Sequence, residues 1–91
     1  MLEKKGLVKL TEECGELIQI ASKKQTRMNS DNHWDGKGSL KTRLEDEIAD
    51  VLAICEVVSE NFELDRVRIA VRVGLKTNLF RSWDRKKKKG R

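Results

Sequence analysis

A chain of 91 residues makes one domain at most, and at that size a lone monomer buries so little of its surface that self-association is expected. Charged residues reach 38% while Pro and Tyr are absent and Phe and Trp number two each, a balance that favours helices over a sandwich or barrel. The net charge of +5 is partly a tail effect, because residues 85–89 are all basic, and no apolar run approaches the roughly 18 residues of a membrane span or the core of a signal peptide; the chain is read by default as cytoplasmic.

In chain order, Leu7, Leu10, Cys14, Leu17, Ile18 and Ala21 repeat at three and four residues and predict a first helix over 7–24. Gly15 lies inside it, at a cost of up to about 1 kcal/mol relative to Ala, and could admit a close neighbour. Cys14 and Cys55 lack any C-x-x-C spacing and read as small buried hydrophobes in a reducing compartment. Residues 25–39 are dense in Asn, Asp, Gly and Ser and form a loop. Its single aromatic, Trp34, either stacks on a base or folds back to plug the core. The glycines around Lys37 lack the spacing of a phosphate-binding P-loop.

Ser39 is placed to cap a second helix running to Asn61, with a stripe of Leu40, Leu44, Ile48, Val51, Cys55 and Val58. At about 100° per residue, Glu47 falls inside this stripe and Asp50 at its border. Glu13 is flanked in the same way by Leu10, Leu17 and Ile20 on the first helix, and Glu16 lies beside Ile20. Burying an unpaired carboxylate costs several kcal/mol, so Glu47 has to be ion-paired, hydrogen-bonded, neutral or bound to a cation.

Asp65 is a good cap for a third segment. Val67 to Leu75 alternates as a strand would, but no other segment alternates with it, and a helix with two apolar stripes is the better reading, ending near Trp83 and Asp84. The basic run 85–91 is expected to be a disordered tail, able to touch nucleic acid non-specifically. The fold class is therefore all-α, three main helices over 1–84 completed by oligomerisation.

Glu13 and Glu16 on one helix, and Glu47 and Asp50 on the next, place two carboxylate pairs three residues apart, each pair on one helix face. Oxygen-only donors select hard cations, Mg²⁺ or Mn²⁺, and a magnesium ion so held is commonly shared with substrate phosphates. The alternative is that the four acids form interhelical salt bridges with Lys and Arg of the third helix.

The stretches Thr11–Leu17 and Leu44–Leu52, with Asn78-Leu79-Phe80-Arg81-Ser82-Trp83, resemble the MazG-like all-α nucleoside triphosphate pyrophosphohydrolases, which carry E-x-x-E on one helix, E-x-x-D on the next and N-x-x-R-x-W on a third. The resemblance implies a helical homodimer or homotetramer that uses Mg²⁺ to split a nucleoside triphosphate, a dNTP in the first instance, into monophosphate and pyrophosphate. It implies metal ligands and catalytic acids at Glu13, Glu16, Glu47 and Asp50, and phosphate-facing residues at Asn78 and Arg81. Lys76 is two residues before Asn78 rather than a helical turn, which makes Arg72 or Lys37 competing sources of positive charge. The loop with Trp34 would help shape the nucleoside end. A small basic helical nucleic-acid-binding protein is the competing reading.

Overall fold

The computed structural model describes residues 1–30, 36 and 38–89, with side chains to 86. The described chain is all-α: a 3-10 turn over Glu3–Gly6, then α1 (Leu7–Thr26), α2 (Leu40–Asn61) and α3 (Arg66–Lys89). Among the described residues no helix is long and apolar enough to cross a membrane. His33, Trp34 and Lys37 lie outside the described residues, so the roles considered for Trp34 and Lys37 find no structural test.

The helix starts follow from local chemistry. Ser39 accepts a hydrogen bond from the Thr42 amide at 3.2 Å, and Asp65 accepts one from the Arg68 amide at 3.0 Å. Each satisfies an amide that the first turn of a helix leaves without an internal partner. At the other end of α1, Lys24 donates to the carbonyl oxygens of Arg27, Met28 and Ser30, which holds the exit from the helix and places a cation at its negative pole.

α1 and α2 run antiparallel and share the core, in which Ile20, Leu40, Ile54 and Val58 are buried. Complete burial of such a side chain contributes about 1.5–3 kcal/mol. The 3-10 turn, for which four residues offer no periodicity, closes the end of this hairpin. Gly6 makes it possible: its φ is +100°, and a Cβ there would meet Val58 Cγ2 at 3.2 Å. Asn61 Nδ2 donates to the Lys5 carbonyl at 2.8 Å, and the Lys5 ammonium sits 5.3 Å from the centre of the Phe62 ring. A Cβ at Gly15 would meet nothing within 4 Å, so its lack of a side chain is not used for close packing within the chain.

Three sequence expectations change. α3 continues through residues 85–89 instead of stopping near Trp83, because Lys and Arg are good helix formers and sit favourably at a helix C-terminus. Cys55 is exposed and Cys14 only half-buried; the stripe that holds Cys55 is wider than the strip of α2 that α1 covers. Finally, α3 stays apart from the hairpin. The extensive tertiary packing among the described residues lies between α1, α2 and the 3-10 turn, while Arg66 ties the start of α3 to Glu56 and, at 3.6 Å, to Glu60. The result is a flat, open molecule, 43 × 35 × 15 Å with a radius of gyration of 16.2 Å, where a compact chain of this length has about 12 Å.

Candidate functional site

A groove runs along one side of the α1/α2 hairpin. Near its centre one carboxylate oxygen each from Glu13, Glu47 and Asp50 lies within 4.8 Å of the other two. The i, i+3 spacing of Glu47 and Asp50 turns both toward the same side of α2, and the antiparallel register puts Glu13 opposite them. The groove continues in two directions. Toward the loop, Glu16, Gln19, Lys23, Arg43, Asp46 and Glu47 line a cleft of about 360 Å³. Toward the start of α1, a shallower depression of about 310 Å³ is lined by Lys9, Glu13, Asp50 and the apolar Ala53, Ile54 and Val57.

The acids differ in their surroundings. Glu13 Oε2 and Glu47 Oε2 are buried and have no hydrogen-bond partner, while Asp50 and Glu16 are exposed. Glu13 Oε1 has Lys9 Nζ at 3.6 Å, so its two oxygens have separate fates. Lys9 also meets Glu12 at 3.2 Å; the hydrogen bond and charge of Glu12, followed by the charge of Glu13, raise the Lys9 pKa above its ordinary value. Among the described residues Glu16, Glu47 and Asp50 make no ion pair, and the α3 cation that reaches α2 does so through Arg66 to Glu56 and Glu60. The interhelical salt bridges considered as an alternative for these four acids are thus not formed with the described side chains of α3, which run to residue 86.

An orphaned buried carboxylate oxygen costs about 1–3 kcal/mol or more in a folded protein. Two of them, facing a third acid, form a donor set of hard oxygens that suits a divalent cation such as Mg²⁺ or Mn²⁺. The residues present therefore fit such an ion.

Of the other residues singled out by sequence, Asn78 and Arg81 are exposed on α3 and Lys76 is half-buried there, in a small depression with Ile69, Arg72 and Val73. None of them lines the groove of its own chain. The positive charge that does line it comes from Lys9, Lys23 and Arg43. Sequence reasoning passed over these three because their position depends on the register of α1 against α2, although Lys23 and Arg43 lie i+7 from Glu16 and i−4 from Glu47, spacings that keep a residue on the same helix face.

Comparison with protein-family models, with curated proteins and with solved structures finds no match.

Proposed function

We propose that the protein is a Mg²⁺-dependent nucleotide pyrophosphohydrolase. One observation carries this reading: three acids from two helices converge within 4.8 Å, and two of them bury an oxygen that no protein group satisfies. A structural salt-bridge network would not leave those oxygens bare.

Glu13, Glu47 and Asp50 would hold the cation. Bound there, a divalent ion supplies charge neutralisation and polarisation of a phosphate group. Glu16 lines the same cleft outside the converging triad and would accept a proton from an attacking water, the role of general base. Lys23 and Arg43, at the loop side of the cleft, provide positive charge for the phosphates of the substrate. In the reaction, water forms a new bond to phosphorus as the bridging α–β phosphoanhydride bond breaks, giving a nucleoside monophosphate and pyrophosphate. The apolar depression formed by Ala53, Ile54 and Val57 is a surface for the less polar nucleoside.

The test is a panel of ribo- and deoxynucleoside triphosphates incubated with the protein and Mg²⁺, with products resolved by chromatography. Monophosphate and pyrophosphate in equal amounts from at least one nucleotide support the reading; intact substrates across the panel, or diphosphate and orthophosphate, oppose it.

A second reading, nucleic-acid binding, draws on one feature. α3 carries ten basic residues against Asp84 alone and stands apart from the acidic groove. Removing residues 85–91 would then sharply weaken a salt-dependent affinity for DNA or RNA.

A further inference from the structure

Lys9 stands on the wall between two depressions. Inward, with Glu13 and Asp50, it lines the depression of about 310 Å³ that belongs to the groove. Outward, with Leu2, Glu3, Val8 and Glu12, it lines another of about 260 Å³. Its ammonium is shared between the two sides, at 3.6 Å from Glu13, whose side chain is 12% exposed, and at 3.2 Å from Glu12, which is 56% exposed. Positions i+3 and i+4 both lie within reach of a side chain at i, so a change of lysine rotamer carries the ammonium from one acid to the other. The outer depression suits it: Glu3 and Glu12 offer charge to the head, and Leu2 and Val8 offer apolar surface to the stem. Among the described residues Lys9 is the cation that pairs with a member of the triad Glu13, Glu47 and Asp50.

We infer that Lys9 is a tethered counter-ion of the groove. It pairs with Glu13 while no divalent cation is bound, moves to Glu12 and the outer depression when one enters, and so sets the affinity of the triad for metal. The inference rests on the reading of the triad as a cation site and adds to it a residue that is not a ligand.

The sign of the effect follows from magnitudes. As a contact that orients Glu13, Lys9 would favour the metal, but an i, i+4 ion pair on a helix changes an equilibrium constant by no more than about twofold. As a like charge it opposes the metal. Even at the dielectric constant of bulk water, a unit charge and a divalent ion roughly 6 Å apart repel by enough to change an equilibrium constant about tenfold. Lys9 is exposed, and screening by salt brings this to about three- to tenfold, which still exceeds the orienting effect. Repulsion therefore wins, and the outer depression limits its size by giving the displaced ammonium two acids to meet. Before an ion arrives, the same lysine offsets one of the three negative charges that converge within 4.8 Å.

The test is a titration with Mn²⁺ in the absence of nucleotide, at low salt, followed by the electron paramagnetic resonance of the free ion. Lys9→Met should bind Mn²⁺ at least about threefold more tightly than wild type. Lys9→Arg, which keeps the charge, and Lys4→Met, which removes an equal charge from the 3-10 turn, should both stay within about twofold of wild type. Glu12→Gln takes away the outer partner, so its loss of Mn²⁺ affinity should be at least about twofold larger when Lys9 is present than in the Lys9→Met chain. All three positions are exposed, and unchanged helical circular dichroism is expected throughout. A Lys9→Met that binds no more tightly than wild type, a Lys9→Arg or Lys4→Met that tightens as much as Lys9→Met, or a Glu12→Gln loss equal in both backgrounds would overturn the inference and leave the metal site standing. Absence of Mn²⁺ uptake by both wild type and Lys9→Met would remove the metal reading and the inference together.

Discussion

Replacing Glu47 by Gln should reverse its effect on stability according to whether a divalent cation is present. Three carboxylate oxygens within 4.8 Å of one another repel by about 3 kcal/mol per pair at an effective dielectric constant of about 20. Solvent around the exposed Asp50 reduces this, and an amide keeps the shape of the side chain while gaining donors, so the relief is about 1–3 kcal/mol. In chelator, Glu47→Gln should therefore melt higher than wild type. With Mg²⁺ at a hundred times its dissociation constant, the wild type gains about 2.7 kcal/mol, worth ~10–20 °C for a domain of this size, and the variant loses most of that gain. Thermal melts followed by circular dichroism, at one fixed protein concentration with EDTA or with Mg²⁺, read both arms. A variant that melts below wild type in EDTA, or that keeps the full Mg²⁺ shift, would refute the description of Glu47 as an uncompensated ligand.

Three further outcomes concern other parts of the molecule. Ile54→Ala removes a buried side chain from between the helices and should cost about 2–5 kcal/mol in urea unfolding, whereas Leu64→Ala, at an exposed position, should cost far less. Gly6→Ala forces a side chain into a left-handed conformation and against Val58, for an expected loss of about 1–3 kcal/mol by the same measurement. The raised pKa of Lys9 means that its favourable pairing with Glu12 and Glu13 is fully in place below the ordinary value of 10.5 and disappears as pH rises through the higher folded-state value. Lys9→Gln should thus leave the slope of stability against pH between about 6 and 9 unchanged and flatten only its alkaline limb.

The parts of this fold that were legible in the sequence are those decided by neighbours along one helix. Ser39 and Asp65 are caps because their side chains bond to amides three residues ahead. Glu13 and Glu47 stood out because their own i±3 and i±4 neighbours are apolar, and in the structure each buries an oxygen. What depended on the meeting of two elements was hidden. Lys23 and Arg43 join the cleft only through the register of α1 against α2, and Gly6 needs its left-handed φ because the chain turns tightly over Ile54 and Val58. α3 was recognisable as a helix, yet its apolar residues spread around most of its circumference, so periodicity could not say which side packs or on what. The same ambiguity explains Cys55, whose apolar neighbours suggested burial that α1 does not provide.

The central claim is that the convergent acids serve phosphoanhydride hydrolysis, and its most direct test is the rate of pyrophosphate release from a nucleoside triphosphate in Mg²⁺ by wild type and Glu47→Gln side by side. Release by the wild type is expected, with a loss of at least about 100-fold in the variant and helical circular dichroism unchanged. Equal rates in the two proteins, or no release by the wild type from any nucleotide, would contradict it.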